Sequence, residues 1–323
     1  MADTLTVLSP GMLTTVQDMG RAGWQSSGFS PGGAMDLPAL RAANLLAGNS
    51  KDMPALEMTM TGPGIKFNCD AWFALTGADF QAELNGAPAP TYALIRASEG
   101  DELRCAAARA GCRGYLAVAG GFALEAVLGS CSTNLKCGIG GFAGRQLRAG
   151  DELPLQCPQT PIANPQERRL PVPAHLDRDR PADKIILRAV LGPQDSRFTP
   201  NGLRDFFGGW YTVAPASDRM GIKLEGAKVT THSGSDIISD GIAAGSVQVP
   251  ASGQPIVMMA DRQTTGGYAK IATVISADLP LLAQAKPGDH LRFVAIAMDE
   301  AQTIVRREAR AMARLEYHYL TLR

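Results

Sequence analysis

The sequence predicts a mainly β protein of two domains, and three observations carry that prediction. The chain has 323 residues, which exceeds the usual size of one domain and suits two domains of roughly 150 residues each. Hydrophobic residues make up 45% and charged residues 19% of the chain, as in a globular protein with a sizeable core. The 35 glycines and 21 prolines indicate many turns, and few segments have the apolar period of a helix.

A segment rich in proline and charge divides the chain. Residues 164–183, NPQERRLPVPAHLDRDRPAD, have neither the apolar period of a strand nor that of a helix, so we interpret them as part of a linker over 161–183. The N-terminal domain then spans 1–160 and the C-terminal domain 184–297. An amphipathic helix over 298–323 ends the chain, with arginines opposite its apolar face.

Two shorter helices and three turns complete the predicted elements. A helix is predicted over 36–49 with Asp36 as its N-cap, and another over 276–284 with Ser276 as its N-cap. Gly-Asp turns precede strands near residues 100, 150 and 288. Their recurrence fits either an internal duplication of a β module or the common turn chemistry of β proteins.

Charge and composition exclude several function classes. The chain has 31 basic and 31 acidic side chains, so neither nucleic acid nor an anionic membrane surface is an expected partner. It has no apolar run long enough for a membrane span and no secretory signal, and we expect a cytoplasmic protein. Four histidines and six cysteines without a C-x-x-C pair predict no metal site and reduced thiols. Cys131, in GSCSTN, is the one candidate for an exposed nucleophile.

Polar residues concentrate in glycine-rich stretches, of which two lie in the N-terminal half. The stretch 14–36 and the strand end LTGADF at 75–80 supply five candidate ligand-binding residues: Gln17, Asp18, Arg21, Asp36 and Asp79. Arg21 offers a planar fork to a carboxylate or phosphate. The alternative is a fixed ion pair between Arg21 and Asp18 that shapes a loop, and Asp79 is alternatively a turn residue.

Two more polar stretches lie in the C-terminal half, at 217–226 and 245–271. They supply nine candidates: Arg219, Gln248, Gln254, Asp261, Arg262, Gln263, Thr264, Thr265 and Tyr268. Loops at strand ends commonly carry binding groups. Gly266 and Gly267 let the backbone approach a ligand closely, or they simply permit a hairpin.

The chain has no P-loop, dinucleotide-binding, zinc-protease or nucleophile-elbow motif, so ATP would not be bound through a P-loop.

These stretches, in this order, resemble the biotin-dependent carboxyltransferase / allophanate hydrolase subunit 2 family. The resemblance rests on TTVQDMGRAGWQ, GGAMD, LEMTMTGP, ALTGADF, YLAVAGGF, GGFAGRQLRAGD, SDRMG and the long string QVPASGQPIVMMADRQTTGGYAKIATVISADLP. It covers about residues 5–295. The family includes the C component of the ATP-dependent 5-oxoprolinase, an enzyme of three components designated A, B and C, and the Kip-type antagonist of a kinase inhibitor.

The resemblance implies a fold and partners. It implies two cyclophilin-like β-barrel domains with a few short helices and a cleft between the domains. It also implies a Kip inhibitor-like B component and an A component of 5-oxoprolinase, with which the chain would convert 5-oxo-L-proline to L-glutamate. ATP is then expected at the interface with the B component, and the chain alone is expected to be inactive. The alternatives are transfer of a carboxyl group from carboxybiotin to urea or another small amide, and a non-catalytic antagonist of a kinase inhibitor.

Residue chemistry suggests roles for the candidates on a small amide or lactam substrate. Asp261, Arg262, Arg219 and Tyr268 are assigned catalytic roles, and the remaining candidates are assigned to substrate binding. Glutamine side chains can hydrogen-bond both edges of an amide, and arginines can hold a carboxylate. The chain departs from the family pattern at Ile222-Lys223 (Tyr-Arg), Cys131 (Arg) and Ala269 (Pro). These departures bear on substrate choice, because lysine does not reproduce the bidentate grip of arginine.

Overall fold

The computed structural model of the chain describes residues 3–157, 161–176 and 184–321, and they fall into two compact units. The first unit comprises the described residues of 1–22, 32–180 and 312–323, and the second those of 23–31 and 181–311. The prediction of a mainly β fold with few helices is confirmed. None of the described helices is long and apolar enough to cross a membrane.

The first unit contains two sheets, a helix on the outer face of one of them, and the last described residues of the C-terminal helix. Its elements are β1 (Thr4–Ser9), β2 (Leu13–Gln17), α1 (Leu37–Leu46), β3 (Ala55–Thr59), β4 (Gly64–Phe67), β5 (Ala71–Asp79), β6 (Glu83–Leu84), β7 (Ala87–Pro88), β8 (Leu94–Ala97), β9 (Glu102–Arg104), β10 (Ala110–Val118) and β11 (Glu152–Pro154). One sheet has the order β11-β1-β4-β9-β6-β7 and the other the order β2-β3-β10-β5-β8.

The core of the first unit lies between the two sheets. Leu5 and Val7 alternate inward along β1, and Phe67 of β4 packs on Phe73 of β5 with ring centroids 5.1 Å apart. Strand β10 is buried along its whole length, because α1 covers the face that does not point to this core. A central strand covered on both faces is apolar throughout rather than alternating, as its sequence AGCRGYLAV largely is.

Part of the predicted linker packs on the first unit. Residues 161–176 contain two short 3₁₀ turns, and Arg169 forms a β-bridge with Ala93. Arg168 is buried, and its Nη1 donates a hydrogen bond to the carbonyl of Leu45 at the end of α1. This part of the segment is therefore a docked element. Residues 158–160 and 177–183 lie outside the described residues.

The second unit is built around a closed seven-stranded barrel. Its elements are β12 (Lys184–Leu191), α2 (Pro200–Gly208), β13 (Tyr211–Val213), β14 (Gly221–Gly226), β15 (Asp236–Gly241), β16 (Ser246–Gln248), β17 (Ile256–Met258), β18 (Thr265–Tyr268), β19 (Lys270–Val274), α3 (Leu279–Ala283), β20 (His290–Ala295) and the part of α4 (Met298–Thr321) that precedes residue 312. The barrel order is β12-β19-β16-β17-β14-β13-β20, and β15 and β18 form a separate two-stranded sheet.

The helices agree in part with the sequence prediction. The carboxylate of Asp36 accepts a hydrogen bond from the backbone of Ala39, so the predicted N-cap of α1 is confirmed. The N-cap of α3 is Asp278 and not Ser276, because the helix begins only at residue 279, with a proline in its first turn. Helix α2 was not predicted, although Thr199 caps it through the backbone of Gly202.

The three Gly-Asp turns have the same local conformation. Gly100, Gly150 and Gly288 have φ angles of 92°, 87° and 93°, in the left-handed region that favours glycine. Each turn leads directly into a strand, namely β9, β11 or β20. The predicted Gly-Asp turns before strands are therefore confirmed.

Candidate functional site

Three candidates of the first unit lie together at the end of β2. Gln17 is the last residue of that strand, and Asp18 and Arg21 follow it in the loop. Gln17 and Arg21 have no exposed surface, and Asp18 is 8% exposed. All three bind the segment 127–134, which contains GSCSTN.

The carboxylate of Asp18 organises the GSCSTN loop. One oxygen accepts hydrogen bonds from the backbone of Gly20 and from the hydroxyls of Ser130 and Ser132, and the other accepts the backbone N–H of Cys131 at 2.6 Å. Four donors saturate a carboxylate in a buried setting. Asp18 is therefore the structural centre of this loop.

Arg21 holds the same loop through carbonyls. Its Nε donates to Val127 at 3.2 Å and its Nη2 to Ser132 at 2.6 Å, while its Nη1 is buried without a hydrogen-bond partner among the described residues. Asp18 and Arg21, both described, form no ion pair with each other, so the alternative of an Asp18–Arg21 pair is wrong. Gln17 likewise donates to Thr133. Arg21 and Gln17 are therefore engaged in holding the segment 127–134.

The Cys131 thiol does not have the environment of an activated nucleophile. It is partly buried, and burial raises its pKa above the ordinary value. The nearby Asp18 carboxylate raises the pKa further, and Arg21 opposes these effects more weakly. A raised pKa reduces the thiolate fraction at neutral pH, and the thiolate is the nucleophile.

Cys131 is therefore expected to react more slowly with iodoacetamide at neutral pH than the exposed Cys137. Because its pKa is raised, its reaction rate should keep rising at pH values where an ordinary thiol has levelled off. Peptide mapping after timed alkylation measures both rates, with a Cys131→Ser variant to identify the peptide. Faster labelling of Cys131 than of Cys137 at neutral pH would contradict this assignment.

The other two candidates of the first unit lie elsewhere. The carboxylate of Asp36 is buried and caps α1. Asp79, at the end of β5, accepts two hydrogen bonds from the guanidinium of Arg109, at 2.7 and 3.2 Å. This ion pair lines a cavity of about 650 Å³, together with Glu83, Leu176 and residues 88–90 at the end of β7.

In the second unit, a bidentate ion pair joins the two predicted polar stretches. Strands β14 and β17 are antiparallel neighbours, with Gly221 opposite Met258, so the loop before β14 meets the loop after β17. Arg219 Nε and Nη2 donate to the two carboxylate oxygens of Asp261 at 2.8 and 3.0 Å. Both side chains are largely buried. Asp261 thus fixes the orientation of Arg219.

Arg262 fastens the same loop to its neighbour. Its Nε donates to the carbonyl of Ile242 at 3.0 Å and its Nη1 to that of Met259 at 3.1 Å. Burial lowers the pKa of the Arg262 guanidinium, because the charged form loses hydration. Ser30, from the N-terminal stretch, donates to the carbonyl of Ala260 at 3.1 Å. The loop carrying Asp261 and Arg262 is therefore held from three directions.

Two glutamine side chains converge over Gly266. A Cβ built on this glycine would lie 2.7 Å from Gln248 Nε2, 2.9 Å from Gln263 Nε2 and 2.6 Å from Ile242 Cδ1. Gln248 is buried and donates to the carbonyl of Tyr268 at 3.4 Å, while Gln263 is exposed. The absent side chain of Gly266 thus leaves the space that both amides occupy.

Lys270 and Asp240 are polar residues of this region that the sequence prediction missed. The Lys270 side chain is 3% exposed, and its Nζ lies 2.9 Å from the carboxylate of Asp240. This hydrogen bond is the main cause that lowers the pKa of Asp240. The sequence does contain a signal for this pair. Lys270 begins the apolar strand KIATV, and a lysine buried in such a strand requires a partner of opposite charge.

The remaining candidates occupy different positions. Gln254 lies at the opposite end of β17 from Asp261 and makes two hydrogen bonds with the backbone of Gly226. Thr264 accepts the backbone N–H of Ile242 through its carbonyl. Thr265 and Tyr268, the first and last residues of β18, are exposed. Gln254 therefore does not join the group around Gly266.

Three positions that depart from the family pattern differ in exposure. Ile222 and Ala269 are buried, and Lys223 is exposed.

Within the described ranges, no group of three or more His, Cys, Asp or Glu side chains could hold a metal ion.

Comparisons with a family model and with known proteins agree on the family of this chain. The model of the carboxyltransferase domain, subdomain A and B, matches residues 27–295. The chain is 41% identical to the C component of 5-oxoprolinase from Escherichia coli (strain K12), over 92% of this chain and 93% of that protein. It is 40% identical to the C component of 5-oxoprolinase from Haemophilus influenzae, over 95% of each chain.

A solved structure extends the comparison to the fold. The crystal structure of the K. lactis urea amidolyase matches 97% of this chain with a TM-score of 0.86 and 28% identity, although this chain covers only 20% of that one. The predicted family resemblance is thus confirmed at the level of both sequence and fold. The chain belongs to the family of carboxyltransferase domains with subdomains A and B.

Proposed function

We propose that this chain is the C component of an ATP-dependent 5-oxoprolinase, which converts 5-oxo-L-proline to L-glutamate in the cytoplasm together with a Kip inhibitor-like B component and an A component. The observation that carries the proposal is the similarity to the C components of two 5-oxoprolinases over nearly the full length of each protein. Urea amidolyase, by contrast, is matched over a fifth of its length.

The side chains around Gly266 suit a small lactam. The side-chain nitrogens of Gln248 and Gln263 both lie beside Gly266, so a lactam carbonyl oxygen bound next to this glycine can accept from both. Donors that converge on a carbonyl oxygen stabilise the negative charge that develops there when a nucleophile adds to the carbon. We assign Gln248 and Gln263 as the groups that bind the lactam oxygen.

Asp261, Arg219 and Arg262 then act as positioning residues. Asp261 engages Arg219 through both oxygens, and Arg262 ties its own loop, at Met259, to the backbone of Ile242 after β15. Together they determine where Gln263 lies relative to Gly266. Preorganised donors lose little free energy to reorganisation during the reaction. Tyr268, which is exposed at the end of β18, is proposed as a further hydrogen-bond donor to the substrate.

In the overall hydrolysis, water adds a hydroxyl to the lactam carbon and the C–N bond breaks. The ring nitrogen receives a proton, and the product carries a new carboxylate and an amino group.

A lactam is stable, so the proposal requires ATP to activate it. The donors around Gly266 do not fit a triphosphate, because Arg219 is engaged through two nitrogens by Asp261 and the described residues offer no cluster for its metal ion. ATP is therefore proposed to bind at the interface with the B component.

A second candidate function is carboxyl transfer from carboxybiotin to urea. It is supported by the similarity of fold to the K. lactis urea amidolyase over 97% of this chain. Urea also presents a carbonyl flanked by N–H groups, so the two glutamines would suit it as well. The two candidates differ in the substrate consumed and in the need for a biotin carrier.

The proposed function predicts that turnover requires this chain and its partners together. Mixtures of candidate A and B components with this chain should release ADP and glutamate from 5-oxoproline, and omission of any one component should abolish glutamate release. The chain alone should show no ATP turnover. Glutamate formation by the A and B components without this chain, or by this chain alone with ATP, would refute the proposed role.

A further inference from the structure

Lys270 and Gln248 form a buried polar pair on adjacent barrel strands. They are cross-strand partners on β19 and β16, and each is 3% exposed. The register of these strands shifts between Val247 and Gln248, so the placement of the two side chains is taken from their contacts. Gln248 Nε2 lies beside Gly266, and Lys270 Nζ donates to Asp240, the partner of Gly266 in the neighbouring sheet. Both polar groups therefore reach toward the sheet formed by β15 and β18.

The Lys270 ammonium is held on one side only. Its described hydrogen bond is the one to Asp240, whose own side chain is 55% exposed. Asp240 is opposite Gly266 in the sheet formed by β15 and β18, so the ion pair borders the glycine on which Gln248 and Gln263 converge. An ammonium has three donors, and burial of one with a single acceptor is unfavourable unless another acceptor is present.

The other cations near Gly266 are engaged differently. Arg219 is bound in a bidentate pair by Asp261. Arg262 reaches the backbone carbonyls of Ile242 and Met259. Lys270, by contrast, is the cross-strand partner of Gln248. Only one acceptor for its ammonium, Asp240, is found among the described residues.

We propose that Lys270 determines substrate specificity by binding the carboxylate of the substrate while Gln248 and Gln263 bind its lactam oxygen, with Asp240 positioning the ammonium. This inference rests on the proposed function and deepens it. Urea and the unsubstituted lactam 2-pyrrolidinone have no carboxylate, so Lys270 would select against them. A charged hydrogen bond lost from the bound substrate would weaken its binding about 10- to 100-fold.

The test uses the reconstituted complex with Lys270→Met and Lys270→Arg chains, and it compares 5-oxoproline with 2-pyrrolidinone. We expect Lys270→Met to raise the KM for 5-oxoproline about 10- to 100-fold, and we expect the rate of ADP release with 2-pyrrolidinone to be the same in this variant and in the wild-type complex. Lys270→Arg keeps the charge and should recover part of the selectivity. Thermal melting and co-purification with the B component verify that each variant folds and assembles.

Three results would overturn the inference. If Lys270→Met lowers both activities equally, Lys270 only ties β15 to the barrel. If the preference for 5-oxoproline survives in Lys270→Met, another cation such as Arg262 binds the carboxylate. If the wild-type complex turns over neither compound, the proposed function fails as well, and that outcome is distinguishable because it appears without any substitution.

Discussion

Replacing Gly266 by alanine is expected to lower kcat/KM for 5-oxoproline about 100-fold in the reconstituted complex, because displacement of binding groups by about 1 Å costs that much. The new Cβ would lie within 3 Å of the side-chain nitrogens of Gln248 and Gln263 and of the Ile242 methyl group. All three atoms are at the ends of flexible side chains, so they can move aside without unfolding the barrel. Catalysis should therefore suffer far more than stability.

Gly267→Ala provides the matched control. A Cβ on Gly267 would meet its nearest neighbour, the carbonyl of Ile237, at an ordinary contact distance of 3.4 Å. This variant changes the same strand by the same methyl group and should keep nearly wild-type activity. Steady-state kinetics compare kcat/KM of the two variants, and melting curves compare their thermal stability. Equal activity of the two alanine variants would show that the amides over Gly266 do not bind substrate.

Replacing Asp18 by alanine is expected to destabilise the first unit by about 3 kcal/mol or more, because several buried donors lose a charged acceptor at once. These donors are the backbone N–H groups of Gly20 and Cys131 and the hydroxyls of Ser130 and Ser132. Chemical denaturation of the purified chain measures the loss. Hydrogen exchange should show that protection at Cys131 falls most.

Asp52→Ala is the comparison for Asp18→Ala, since Asp52 is exposed and its described side-chain hydrogen bond is to the hydroxyl of Ser50. It should change the free energy of unfolding by less than about 0.5 kcal/mol. Asp18→Asn keeps the shape of the side chain and should be intermediate. An Asp18→Ala chain as stable as the Asp52→Ala chain would contradict the structural role of Asp18.

Much of the local structure follows from sequence patterns. Gly-Asp turns, the cap at Asp36 and the alternation of Leu5 and Val7 along β1 are set by neighbours in the chain, so short-range rules suffice to predict them. The predicted start of α3 is wrong because residue type does not distinguish Ser276 from Asp278 as an N-cap, and the carboxylate of Asp278 binds Arg188, a residue distant in the chain, instead of capping the helix.

The arrangement of the candidate residues could not be predicted in the same way. Arg219 and Asp261 meet because β14 and β17 are neighbours in the barrel, a pairing between residues 42 positions apart. The use of Arg21 to hold carbonyls of a loop more than 100 residues away is likewise a long-range contact. Residue types alone indicated ligand binding at Arg21, Asp36 and Gln254, where the structure shows hydrogen bonds to the protein itself.

The most direct test of the central claim runs two reactions on one preparation of the chain with its candidate partner proteins. One reaction contains ATP and 5-oxoproline and is assayed for glutamate. The other contains urea, ATP, bicarbonate, a biotin carboxylase and a biotin carrier, and is assayed for carboxylated urea. We predict glutamate from the first and no product from the second. Carboxylated urea without any glutamate would contradict the assignment and establish the chain as a carboxyltransferase.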